Sequence, residues 1–152
     1  MKSKRILLEV ITAFLVLLFV YTPTSKLISF DEYKLAMAAQ PLAPFIRTTL
    51  IYALPAVEYI VVVLLIIPRT RRMALYASLV LLSLFTGYII LIQVNYYGRI
   101  PCTCGGIIQQ MSWEDHLLFN IAFILATILA IQFDKITHDH VKDAGELNYH
   151  DI

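Results

Sequence analysis

Four long apolar runs, separated by short polar segments, dominate the pattern of this chain. They cover about Ile6–Thr22, Thr48–Ile67, Met73–Val94 and Trp113–Phe133. A helix needs about 20 mostly apolar residues to cross a bilayer, with a range of roughly 17–25, so each run is long enough for one span. The first run is at the short end and could continue past Pro23 towards Leu27. The pattern predicts an all-α integral membrane protein, folded as an antiparallel four-helix bundle.

Composition supports a membrane protein with little room for a second domain. Of the 152 residues, 59% are hydrophobic and 15% are charged, whereas a soluble domain carries about 25% charged residues. We therefore expect one transmembrane domain at residues 1–133 and a polar cytoplasmic tail at residues 134–152. The net charge of +1 gives no reason to expect a nucleic-acid partner. The expected surroundings are a lipid bilayer.

The N-terminus could also be a cleaved signal peptide, because a basic start precedes its apolar run. However, the segment Tyr21-Thr22-Pro23-Thr24 lacks the small residues of a cleavage site, and Glu9 interrupts the apolar region early. We expect a retained first helix. Glu9 lies near its inner end, where the carboxylate could reach water or pair with Arg5.

The basic residues predict the orientation in the membrane. One set of flanks carries Lys2, Lys4, Arg5, Arg69, Arg71, Arg72, Lys135 and Lys142, whereas the opposite flanks carry Lys26, Lys34, Arg47 and Arg99 over longer segments. Short cytoplasmic flanks are enriched in Lys and Arg. The bias predicts that both termini are cytoplasmic. The segment between the third and fourth spans is then extracytoplasmic.

The first external segment, Thr24–Phe45, mixes apolar and charged residues. This mixture is typical of a short amphipathic helix lying on the membrane surface. It would equally suit a lid folded onto the bundle. We expect the helix to end at Gln40, because Pro41 and Pro44 cannot continue it.

The motif Cys102-Thr103-Cys104-Gly105-Gly106 holds both cysteines of the chain. A disulfide across so short a loop would stabilise the fold by only about 1.6 kcal/mol, against about 3 kcal/mol for a fifteen-residue loop. Strained, exposed disulfides are readily reduced and tend to be catalytic or regulatory. The pair could instead shape its loop or bind a metal adventitiously, although two thiols are an incomplete zinc site. The predicted extracytoplasmic side permits disulfides.

Two further residues are candidates for chemistry. His116 lies one turn into the fourth span, where an imidazolium and the helix N-terminus would both stabilise a thiolate; it could also simply form a hydrogen bond with Asn120.

Glu58 lies in the second span, where placing a carboxyl group in the membrane costs roughly 2.5–3.5 kcal/mol. It should therefore face the interior, as a proton-handling group or as a hydrogen bond that locks packing. The expected partners of Glu58 are Tyr59, Tyr88, Gln93 and Asn120.

Four segments resemble the MauE/DoxX-like family of small four-helix membrane proteins. They are Thr24-Ser25-Lys26-Leu27 with Phe30, Gln40-Pro41-Leu42, Leu54-Pro55-Ala56-Val57-Glu58 and Cys102-Thr103-Cys104-Gly105-Gly106. They resemble, in order, the family's "GxxKL…F" exit from the first helix, its break before the second helix, its "LPxxE" signature and its "CxCxG" loop. Thr22 or Pro23 stands where the family usually has glycine. The resemblance extends over the chain to about Phe133.

The resemblance implies a DoxX-like antiparallel bundle that takes part in the maturation of exported proteins through disulfide handling. Together with the residue chemistry above, this predicts a protein of the bacterial inner membrane whose catalytic residues are Cys102, Cys104, His116 and Glu58. MauE-type proteins are linked to the disulfide-rich small subunit of methylamine dehydrogenase, a client that need not be shared by this chain. By analogy with membrane thiol oxidoreductases, the electron partners would be a thioredoxin-like or exported disulfide protein and a quinone cofactor. Those enzymes use a second cysteine pair, which this chain lacks.

Two other functions remain open. The bundle could be a non-catalytic scaffold or subunit of a larger envelope complex, with Thr24–Phe45 as its contact surface. It could also be a quinol-linked oxidase subunit, although the sequence lacks the histidine clusters that haem or copper would need. His138 and His140 in the tail could hold a metal only weakly, and we expect no metal site.

Overall fold

A computed structural model describes residues 2–96 and 113–149 of the chain. Within these ranges the protein is helical and contains no strand. The helices are α1 (Lys2–Ile28), α2 (Phe30–Ala38), α3 (Pro44–Ile66), α4 (Arg71–Gln93) and α5 (Trp113–Tyr149). The predicted all-α class is confirmed.

Four of these helices are long and apolar enough to cross a membrane. Their candidate spans are Ser3–Ile28, Pro44–Ile66, Arg71–Gln93 and Glu114–Ile136. Helix α1 packs against α3 and α5, and α4 packs against α3 and α5. The four helices therefore form the predicted antiparallel bundle. We call the end that carries the C-terminus of α4 and the N-terminus of α5 the Cys-loop end, because residues 97–112 join them there.

Helix α1 continues through Pro23 to Ile28, as the apolar pattern allowed. Proline removes one backbone donor, but spanning helices tolerate it when neighbouring groups satisfy the freed backbone. Nearby, Thr24 donates to the Val20 carbonyl at 2.6 Å and shares a hydrogen bond of 2.9 Å with the Tyr59 hydroxyl. The continuation places Lys26 on a membrane-spanning helix instead of in an external segment.

The short helix α2 occupies the middle of the predicted external segment. It contacts α3 and α1, and it buries Tyr33, Ala36 and Met37. The Tyr33 hydroxyl donates to the Leu50 carbonyl of α3 at 3.2 Å. Helix α2 is therefore folded onto the bundle in the manner of the lid that the sequence allowed.

Helix α3 begins at Pro44, four residues before the predicted start, with the proline in the first turn. Proline is well suited to this position because its missing N–H would have no helical partner there. At the other end of α3, the tight turn to α4 is closed by Thr70, whose hydroxyl donates to the Leu64 carbonyl at 2.9 Å. This short turn fixes the antiparallel arrangement of α3 and α4.

The core is apolar and is supplemented by satisfied hydroxyl groups. Leu8, Leu15 and Phe19 of α1 pack with Leu65 of α3 and Leu75 of α4. Four buried hydroxyls donate to carbonyls one turn earlier on their own helices, at 2.7–2.8 Å; they belong to Thr12, Ser78, Thr86 and Thr127. Such bonds are the expected solution where no water is at hand. These polar residues need no functional explanation.

Helix α5 continues well past the predicted end of the fourth span at Phe133, reaching Tyr149. Residues 134–149 contain no proline and a single glycine, Gly145, so nothing in this stretch forces the backbone out of the helix. The polar residues after Phe133 end the apolar span but do not end the helix. The domain boundary after residue 133 remains a prediction.

Candidate functional site

The centre of the candidate site is a buried ion pair between α1 and α3. The Lys26 ammonium donates to both oxygens of the Glu58 carboxylate, at 2.7 and 2.9 Å. The side chain of Lys26 is 10% exposed and that of Glu58 is 2% exposed. Because each charge satisfies the other, the pair avoids the large cost of an unpaired ion inside an apolar bundle.

Lys26 also lies against Phe85 of α4, with its nitrogen 5.8 Å from the ring centroid. A cation at this distance from an aromatic face is attracted by the ring quadrupole. One lysine of α1 is thereby in contact with α3 and α4. It ties three of the four spans together at one depth.

A small cavity of about 90 Å³ lies beside the ion pair. Its walls include Thr22, Lys26, Glu58, His116 and Asn120, among apolar side chains. The Thr22 hydroxyl lies next to the Glu58 carboxyl but makes no direct hydrogen bond of good geometry. The volume exceeds what one water needs, so this part of the bundle can hold bound water near the carboxylate.

A larger chamber of about 380 Å³ lies on the other side of Lys26. Apolar side chains of α3 and α4 form most of its walls, and Met37 and Gln40 close it at the end of α2. The Tyr88 hydroxyl of α4 donates to the Gln40 side-chain oxygen, which fastens this closing segment to α4. The resulting space is almost entirely apolar.

Lys26, Phe85 and His116 line both cavities and so stand between them. The Nδ1 atom of His116 is buried and has no hydrogen-bond partner among the residues that the structure describes. A buried nitrogen without a partner is costly, and such exceptions in native structures call for an explanation. The His116 ring would have to turn before a ligand or water in either cavity could reach this atom.

Two of the four predicted site residues, His116 and Glu58, lie in the described part of the chain. His116 and Glu58 lie at the same small cavity, as candidates for one site should. The expected partners of Glu58 were wrong, because its carboxylate is bound by Lys26. Of the expected partners, Tyr59 bonds to Thr24 instead and Tyr88 bonds to Gln40. Cys102 and Cys104 lie outside the described residues, so their predicted roles stay predictions.

Lys26 is the residue of the candidate site that sequence reasoning missed. A first span that ends at Thr22 leaves this lysine in the external segment, although the apolar pattern also allows a continuation towards Leu27. The signal was nevertheless present: Leu8, Leu15 and Phe19 are spaced by seven and four residues, and Lys26 continues the same spacing. Residues at such intervals share a helix face, so a continuous α1 places Lys26 on its core side.

A second ion pair lies at the opposite end of the bundle. Arg71 Nη1 of α4 is 2.7 Å from Glu9 Oε1 of α1. The sequence suggested that Glu9 could reach water or pair with Arg5, and the structure gives it Arg71 instead of Arg5 as its charged partner. Glu9 is half exposed, so this contact belongs to the surface of the bundle.

Within the part of the chain that the structure describes, no group of three or more His, Cys, Asp or Glu side chains could hold a metal ion.

Comparison with known proteins identifies the family. No curated protein and no solved structure matches the chain. The family described as methylamine utilisation protein MauE matches residues 4–133. The match covers all four candidate spans almost completely and includes Lys26, Glu58 and the Cys102–Gly106 motif. This chain is therefore a multi-pass membrane protein that belongs to the MauE family.

Proposed function

We propose that this protein exchanges thiols and disulfides with exported proteins, through Cys102 and Cys104 on the extracytoplasmic side of the bacterial inner membrane. The observation that carries the proposal is the buried Lys26–Glu58 pair, which shares a small cavity with His116 in the first turn of α5, while Lys26 and His116 also line the larger chamber. Charged groups inside a membrane bundle are costly and tend to be functional. Membership of the MauE family also supports a role in thiol–disulfide exchange.

The exchange is a two-electron reaction of the cysteine pair. A thiolate of the pair attacks a partner disulfide and forms a mixed disulfide with it. The second thiolate then displaces the partner's remaining sulfur, which leaves a Cys102–Cys104 disulfide and a partner with two thiols. The reverse sequence oxidises the partner. Repeated turnover needs a second two-electron couple, and a lipid-soluble quinone would supply that chemistry in the membrane.

The two buried residues have separate roles in this proposal. His116 lies in the first turn of α5, which directly follows the cysteine segment, and it acts by favouring the thiolate of the pair. Glu58 lies deeper, against the small cavity, and it holds or passes the protons that accompany the electrons. Lys26 keeps the Glu58 carboxylate in place between successive proton transfers.

A scaffold is the second candidate function, and exposed apolar residues near α2 favour it. Leu35 of α2 is 73% exposed and Phe45 at the start of α3 is 81% exposed. Both lie in the segment that the sequence identified as a contact surface for a larger membrane complex. In a scaffold, Cys102 and Cys104 would only anchor or shape the docking loop.

Replacement of both cysteines by serine separates these functions. For thiol exchange, we expect Cys102→Ser/Cys104→Ser to assemble normally in the membrane while exported proteins accumulate with incorrect disulfides. Alkylation of intact membranes followed by mass spectrometry would report the oxidation state of the pair, and Thr103→Ala is the matched loop control. Normal client disulfides in the double variant would exclude the exchange function and leave the scaffold.

A further inference from the structure

We propose that the larger chamber is the binding site for the ring of a lipid-soluble quinone. The inference rests on the proposed function, because it names the electron partner of the cysteine pair and the residues that receive it. Its physical basis is the size, the opening and the charge of the chamber.

The chamber has the size and the opening of a site for a lipid-soluble molecule. Its volume of about 380 Å³ lies within the roughly 300–1,000 Å³ of small-molecule sites. Leu84 and Ile46 line it and are also 66% and 44% exposed at the surface of two spanning helices. Side chains that line the chamber and are also exposed on the outer surface of the bundle mark a lateral opening towards the bilayer. A ligand can therefore enter from lipid and leave its tail there.

The absence of net charge at the Lys26 end of the chamber favours a ligand with an uncharged head group. Lys26 is neutralised by Glu58, so the wall offers no surplus positive charge for a phosphate group. A phospholipid head would lose its hydration there without a counter-charge. His116, in contrast, is an uncompensated hydrogen-bonding side chain in the wall of the chamber. Its imidazole ring can donate a hydrogen bond to a carbonyl or accept one from a hydroxyl, according to the tautomer.

The same residues suit the chemistry of a quinone couple. The Cys102–Cys104 dithiol would give up two electrons and two protons as it closes to a disulfide, and this converts one quinone to one quinol. His116 and Glu58 stand at the chamber and at the adjoining small cavity, where protons must arrive. Cys104 lies twelve residues before His116 in the chain, a tether that reaches at most about 40 Å.

Binding can be measured without relying on turnover. The Cys102→Ser/Cys104→Ser protein would be placed in phosphatidylcholine nanodiscs and labelled with an azido benzoquinone that carries a decyl chain. We expect saturable labelling of α3 and α4 peptides at the chamber, which unlabelled decyl-quinone competes away. Leu84→Trp puts a bulky side chain in the opening and should weaken binding at least about fivefold. Val80→Trp, four residues earlier on the same exposed face, should change it less than about twofold.

Other results would overturn the assignment. Labelling that does not saturate, that lies outside the chamber, or that falls equally in Leu84→Trp and Val80→Trp would remove the quinone site. Equal competition by added phosphatidylglycerol would show a general lipid crevice instead. Because the tested protein has no cysteines, binding can succeed even where thiol exchange fails. In that case only the proposed function is lost.

Discussion

Lys26 and Glu58 are separated by 32 positions in the chain and joined by two hydrogen bonds of 2.7 and 2.9 Å inside the bundle. Each residue belongs to a different short motif, one at the end of α1 and one in the middle of α3. The contact shows why both motifs carry a charge in apolar surroundings. The charges neutralise each other and leave the walls of the two cavities electrically neutral.

Removing either charge alone should destabilise the protein strongly. We expect Lys26→Met and Glu58→Leu each to lower the free energy of unfolding by about 3–5 kcal/mol, because the remaining ion would be buried without a partner. The double variant should regain most of that loss, since an apolar pair of similar volume can replace a buried ion pair. Thermal unfolding in detergent, followed by circular dichroism, measures all three. Additive losses in the double variant would contradict direct coupling.

The second ion pair should matter far less. Glu9→Gln removes the partner of Arg71 at a half-exposed position, where ion pairs contribute about 0.2–1 kcal/mol. We expect a loss in this range in the same unfolding assay. A loss as large as that of Glu58→Leu would show that the Glu9–Arg71 pair is more buried than the exposure of Glu9 indicates.

The proposed function requires the cysteines to face outwards. In intact cells, membrane-impermeant maleimide should label Cys102 or Cys104 after mild reduction. A single cysteine at Pro68→Cys, in the exposed turn between α3 and α4, should be labelled only after lysis in a background without Cys102 and Cys104. The opposite labelling pattern would place both termini outside the cytoplasm and remove the extracytoplasmic reaction.

The Tyr88–Gln40 hydrogen bond should hold the closing segment of the chamber. Tyr88→Phe removes the phenol donor with little change of shape, and we expect a loss of about 0.5–1.5 kcal/mol. The Gln40 segment should then exchange its amide hydrogens faster, as followed by mass spectrometry. Tyr52→Phe, at an exposed position of α3, is the matched control. Equal exchange in the two variants would mean that the bond does not fasten this segment.

The apolar runs predicted the four spans because bilayer thickness dictates their length. They did not predict the helix ends. Pro23 does not stop α1, since neighbouring groups support the backbone there, and the polar stretch after Phe133 ends the span without ending α5. These limits come from tertiary contacts and solvent, which a residue pattern does not contain.

The candidate site was predicted in outline but not in its pairing. A carboxyl group in a span must face inwards, so the burial of Glu58 followed from the sequence. Its partner did not follow, because Lys26 joins the interior only if α1 passes Pro23. The apolar chamber also escaped prediction, because side chains from all five helices reach its walls and the space left between them depends on how these helices pack.

The contact between the two motifs has a consequence for how such chains can diverge. A relative that exchanges the lysine for a neutral residue would strand a carboxylate in hydrocarbon unless the glutamate changes as well. Thr24–Leu27 and Leu54–Glu58 should therefore be inherited as one unit, although some thirty positions lie between them. In a large set of related sequences, these two sites should covary more tightly than either does with its immediate neighbours.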